Sequence, residues 1–218
     1  MPEPKTSVLL DPTLADGFAS FPWPSDARLT VDGAPDLTPF PNHGDGDLID
    51  VYVAAVHALV RGAGTNPVIH LRFDGDLDHV TWPSSPATLE VTSPVQLVNV
   101  DPDSAAFGER IALQIDWQAE AGTYTAARTF SAFPAAGFVL RPETTYALVI
   151  LDSLGDADRA PLVVPETLSD WIGGAGDLGE VYAPLGDAAL AVGIEPTAIA
   201  AATVFTTGTT TAELRTIR

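Results

Sequence analysis

The sequence predicts a mainly β protein: a Greek-key β-sandwich with an N-terminal arm and helix and a helical insertion before the last strand. Three observations carry this. Glycine (18) and proline (19) punctuate many short apolar runs, as in folds built from short strands and turns. Several of those runs alternate apolar and polar residues, the period of a half-buried strand. The spacing Leu140-x-Pro142-x-Thr144-x-Tyr146 opens the strongest strand with a tyrosine. In Greek-key sandwiches a tyrosine so placed bonds its hydroxyl to backbone a few residues upstream and ties down the crossing between sheets.

Residues 1–65 read as an arm and a helix packing on the sandwich. In "FASFPWPSDARLTVDG", Phe18, Phe21 and Trp23 stand among prolines, and such aromatics are costly to leave in water. Leu48 to Arg61 has apolar residues at helical spacing, with Asp47 as N-cap and Gly62 or Gly64 as stop. Residues 66–165 read as the sandwich. In "VIHLRFD", Ile69, Leu71 and Phe73 face the core while His70, Arg72 and Asp74 face outward. "ATLEV", "VQLVNV", "RIALQIDW", "GTYTAARTF" and Tyr146 to Leu151 supply further strands. The expected core is Ile69, Leu71, Phe73, Ile111, Leu113, Ile115, Tyr146, Leu148 and Ile150. Residues 166–200 read as the helical insertion, with a helix at "ETLSDWI" and another opened by an Asp177–Glu180 capping box and carrying Pro184. Residues 201–218 read as the closing strand and the start of a linker or following domain.

The formal net charge of −19 repels phosphate backbones, which argues against nucleic acid as a partner. It fits either salty surroundings, where self-repulsion is screened, or a secreted protein kept soluble by charge. There are no cysteines, so disulfides and thiolate metal sites are excluded. No apolar run reaches the length of a membrane span. The start lacks a signal-peptide pattern, so the chain is cytosolic or a mature form with the signal removed.

No G-x-S-x-G nucleophile elbow, H-E-x-x-H, phosphate loop or dinucleotide fingerprint occurs. Carboxylate pairs are plentiful in so acidic a chain, and glycoside hydrolysis needs two at a defined separation beside a groove. Calcium is the one metal that the spacing raises. Asp74, Asp76 and Asp78 have the D-x-D-x-D start of a calcium loop. An EF-hand is rejected, because His79 stands where the turn needs glycine and Ser85 where glutamate should be. A looser site would borrow Asp45, Asp47 and Asp50, or Asp152, Asp156 and Asp158. The competing reading is turn chemistry, since aspartate bonds local backbone amides. Among the tryptophans, Trp82 in "TWPSSP" is the one expected at the surface, where it could meet carbohydrate.

From Asn66 to Gly208 the chain resembles the bacterial Ig-like domains of S-layer-protein type. "VIHLRFDGDLD" matches their early strand and "LRPETTYALVI" their tyrosine-corner strand. "LGDADRAPL" matches the following turn, although Arg159 stands where glycine is usual, and "VFTTG" matches the closing strand. With "FPWPSD", the helix before "NPVIHLRF" and the helical insertion, the whole resembles the N-terminal region of secreted lipases of the virulence-factor type and related hydrolase-linked proteins. That resemblance implies an Ig-like fold and an extracellular or cell-surface location. It also implies a non-catalytic accessory role beside an α/β-hydrolase domain lying beyond Arg218. The alternatives are a stand-alone secreted hydrolase and a calcium-dependent carbohydrate- or surface-binding module.

Overall fold

The computed structural model describes residues 5–42 and 47–210. Asp45, named above as a calcium ligand, and the chain after Thr210 lie outside the described residues. The described residues form seven strands and three α-helices: β1 Ile69–Arg72, β2 Val95–Asn99, β3 Arg110–Ile111, β4 Leu113–Gln118, β5 Thr129–Pro134, β6 Thr145–Leu151 and β7 Ile199–Thr206, with α1 Leu48–Leu59, α2 Glu166–Ile172 and α3 Gly179–Ala189. The protein is mainly β. The strands form two antiparallel sheets, ordered β1-β5-β4 and β3-β2-β6-β7. One residue, Ala112, separates β3 from β4, so the chain changes sheet there. Buried Thr88 serves that point, its Oγ1 accepting the Leu113 N–H at 2.9 Å.

The two sheets share one core, an arrangement compatible with a β-sandwich. Ile69, Leu71, Phe130 and Leu113 come from one sheet, and Leu97, Ile111, Tyr146, Leu148, Ile150 and Phe205 from the other. All nine expected core residues lie in or against this cluster, with Ile115 partly buried. Period-2 alternation is therefore what aims these side chains inward. The tyrosine corner is formed as expected: the Tyr146 hydroxyl accepts the Arg141 backbone N–H at 3.0 Å. Tyr146→Phe keeps the ring and loses that bond, so a loss of roughly 0.5–1.5 kcal/mol is expected in denaturant melts. An unchanged midpoint would show that the corner contributes no stability.

A second apolar cluster covers the other face of the four-stranded sheet. Val98, Ala147, Val149, Ala202 and Val204 meet Leu168, Trp171 and Ile172 of α2, Tyr182 and Leu185 of α3, and Phe21 of the arm. The layers are thus sheet, sheet and helices. Helices α2 and α3 come close because position 186 is glycine; a Cβ there would stand 2.1 Å from the Ile172 carbonyl oxygen. Pro184 lies inside α3, which runs unbroken past it.

Several elements differ from expectation. "ATLEV" forms the end of a 3-10 turn at Ser85–Leu89, entered at Pro86, followed by a turn. Residues 120–128 make a loop, and the strand starts only at Thr129. Asp177 does not cap α3; its carboxylate accepts the Trp171 indole N–H at 2.9 Å, a tertiary bond that replaces the local one. Asp47 makes no side-chain cap bond either. Helix α1 contains no buried residue, and Leu48, Val51, Tyr52 and Leu59 are between 60 and 71 % exposed. Its other side, with Val56 and then Val60, lines a cavity of about 270 Å³ against Pro35, Pro67 and Phe205.

The arm runs along both sheets. Val8 bridges to Phe73 and Trp23 to His70, extending the β1 edge. Beyond it, Thr203 Oγ1 donates to the Pro24 carbonyl at 2.7 Å, and Asp26 accepts the Thr206 N–H and hydroxyl at 2.8 and 2.7 Å. Burial raises the Asp26 carboxyl above the ordinary aspartate value, and the Thr206 bonds oppose that shift.

Candidate functional site

The outer face of β1 is where polar chemistry meets the arm. His70 and Arg72 project from β1 on the side opposite Ile69 and Leu71, as alternation requires. They are half-buried, not open to water, because the arm lies over them. Trp23 and His70 exchange backbone bonds, Trp23 N to His70 O at 3.0 Å and His70 N to Trp23 O at 2.6 Å. That pairing sets Trp23 beside Phe18, with ring centroids 5.3 Å apart. Phe18 meets Phe40 edge-on at 5.2 Å, and Phe40 stacks on Tyr124 of the 120–128 loop at 6.2 Å. Together they enclose a cavity of about 270 Å³ with His70 and Arg72 in its lining.

Arg28 props the aromatic wall. Its guanidinium sits 3.9 Å from the Phe18 ring centre and 5.0 Å from that of Trp23, a cation–π arrangement. Nη1 donates to the Phe18 carbonyl at 2.9 Å, while the buried Nε and Nη2 have no hydrogen-bond partner in the structure. Burial pushes the guanidinium down to about 10, and Asp36 opposes that shift, so Arg28 is charged at neutral pH.

His70 Nδ1 lies 2.9 Å from the Ser131 hydroxyl on the neighbouring strand. A nucleophile–base pair needs a third group that orients the base. Asp116 stands across from Ser131 on β4, on the side away from β1. Burial lowers the His70 imidazole below its ordinary value of 6.5. The neutral ring is then favoured in the folded state. Its contribution to stability is present above the ordinary value and is lost as pH falls through the lower folded value. In thermal melts below pH 6.5, His70→Gln is expected to lose less stability on acidification than the parent. Equal losses would put the His70 imidazole outside this linkage.

The three aspartates of the calcium reading are otherwise engaged. Asp74 Oδ1 accepts the Ser7 N–H at 2.7 Å, and Asp76 Oδ1 the Arg128 Nε–H at 3.3 Å. Asp78 accepts the Val80 N–H and the Thr81 hydroxyl, both at 3.1 Å, and its Oδ2 lies 3.5 Å from Arg159 Nε. The 74–78 loop does meet the second loop named above, but through backbone: Asp78 N donates to Gly155 O and Ala157 N to Asp76 O. Asp156 turns its Oδ1 to the Asp158 and Ala160 amides. Asp50 accepts from the Asn42 amide. Among the described residues no group of three or more His, Cys, Asp or Glu is placed to hold a metal ion. With Asp74, Asp76 and Asp78 engaged by the Ser7 amide, Arg128, and the Val80 amide with Thr81 and Arg159, calcium is expected to raise the melting temperature no more than magnesium at equal ionic strength. A site with a dissociation constant near ~0.1 mM would give roughly 3–6 °C at tenfold excess, and such a calcium-specific rise would restore the ion.

Trp82 is half-buried, its ring 5.4 Å from that of Phe130. Phe18 and Trp23 stand out in the sequence as aromatics to be packed away, but nothing local aims them at β1, and Phe40 carries no such signal. Among the described residues no helix is long and apolar enough to cross a membrane. The sequence matches no protein-family model and no curated protein.

Proposed function

We propose that this chain is a non-catalytic Ig-like accessory domain of a secreted bacterial hydrolase, lipase- or esterase-like, or of a surface protein, with an α/β-hydrolase domain beyond Arg218 in the hydrolase case. The strand order carries the reading. If β1 to β7 are strands B, C, C′, D, E, F and G, the sheets read B-E-D and C′-C-F-G, the Ig-type Greek key. The tyrosine corner then falls on strand F, where such domains place it. The arm bridge from Val8 to Phe73 lies where strand A would run. Arg159, in the turn where the resembled domains carry glycine, has φ +61°, the left-handed conformation that glycine adopts without penalty. The lack of a nucleophile elbow in the sequence supports an accessory role over a catalytic one.

Two experiments test this. The reading frame after Arg218 is expected to encode a G-x-S-x-G elbow between a strand and a helix; a stop codon directly after Arg218 would overturn the single-chain hydrolase. The purified 218-residue chain is expected to leave short-chain nitrophenyl esters unhydrolysed. Turnover that persists through purification and disappears in Ser131→Ala would make this region the enzyme.

A further inference from the structure

We propose that the aromatic cavity under the arm is a binding site for a small monocarboxylate with an apolar body, held by Arg72 against the Phe18–Trp23–Phe40–Tyr124 wall. The chain carries 29 acidic and 10 basic residues, so any patch of its surface is expected to include carboxylates. Among the described residues its lining includes none, and its basic side chains are His70 and Arg72. Asp16 belongs to the adjoining cleft, which shares Arg72 and Tyr124 with the cavity. The exclusion of negative charge matters because a buried or half-buried anion is stabilised only where like charge is kept away.

Arg72 is held ready for such a ligand. Its Nε–H is committed to the Ala127 carbonyl at 3.2 Å, which fixes the plane of the guanidinium. Among the described residues the outer nitrogens make no hydrogen bond to the protein and are not fully buried, so they remain reachable. A guanidinium fixed in this way presents two donors to a carboxylate. The rest of the lining is mostly apolar, with Phe18, Phe21, Trp23, Leu37 and Phe40 beside the hydroxyls of Tyr124, Thr125 and Thr129, which suits an aromatic or short alkyl body with one polar end. The volume, about 270 Å³, falls just under the range for drug-sized ligands and sets the scale at a single ring or a short chain.

The test uses the 218-residue chain, with phenylacetate and its neutral isostere phenylacetamide as probes, read by calorimetry and by tryptophan fluorescence with Trp23→Phe as control. Phenylacetate is expected to bind saturably, and phenylacetamide at least about tenfold more weakly, equal to about 1.4 kcal/mol. Arg72→Met is expected to abolish the difference between the two probes, and Arg72→Lys to keep part of it. The comparison of probes on the parent protein does not depend on whether either variant folds. Equal binding of the two probes, binding of neutral sugars in their place, or no saturation by phenylacetate up to about 10 mM would each overturn the proposal.

Discussion

Trp171→Ala is expected to destabilise the protein by about 3–5 kcal/mol, the cost of removing a buried tryptophan. The side chain is 2 % exposed and joins three parts of the chain. It meets Phe21 of the arm at 6.1 Å and Tyr182 of α3 at 5.5 Å, and it donates to Asp177 at 2.9 Å. Truncation opens a cavity between the helices and the four-stranded sheet. It also leaves the Asp177 carboxylate without its indole donor. At about 2–4 °C per kcal/mol for a domain of this size, the melting temperature should fall by roughly 6–20 °C. Trp171→Phe should fall between the two, because it refills most of the space but cannot donate. A loss under about 0.5 kcal/mol for the alanine variant, the level of an ordinary surface site, would mean that the helical layer lends the sheet no support.

Leu148→Ala probes the opposite face of the same sheet and should cost about 2–5 kcal/mol. Leu148 is fully buried at the centre of β6, paired with Leu97 on β2 and Thr203 on β7. Its neighbours Ala147 and Val149 belong to the helix-side cluster, while Leu148 belongs to the core between the sheets. The two substitutions therefore report on separate layers. Chemical denaturation of both variants measures this directly. A Leu148→Ala loss within about half a kcal/mol, as at an ordinary surface site, would show that Leu148 is not packed between the sheets.

The inner core was legible because alternation is a local property. Ile69, Leu71, Leu113 and Ile115 declare their face through polar neighbours, His70, Arg72, Gln114 and Asp116, and the corner tyrosine declares its strand by the proline before it. The second core carried a signal of another kind. "VQLVNV" and "YALVIL" place apolar residues at consecutive positions, the mark of strands covered on both faces, and a period-2 reading passes over it. Capping failed at Asp177 because the Trp171 indole, six residues earlier, takes its carboxylate, a contact that the capping pattern does not encode. The site was least legible. Alternation correctly put His70 and Arg72 on the outer face of β1, but the wall that covers them comes from residues 18–40 and from the 120–128 loop. The three aspartates beside them looked more chemical and proved to be tied to amides and arginines.

The bonds from Pro24 and Asp26 to Thr203 and Thr206 join residues about 180 positions apart. At roughly 5–20 residues per second, a ribosome needs about 10–40 s to deliver β7 after the arm has emerged. Through that interval the arm has no partner for Asp26, and Phe21 has only part of its pocket. The Pro24–Asp26 end of the arm is therefore made well before the strand that locks it. A nascent chain halted before Ile199 should leave Lys5–Asn42 open to protease, and the same segment should become resistant once β7 is released.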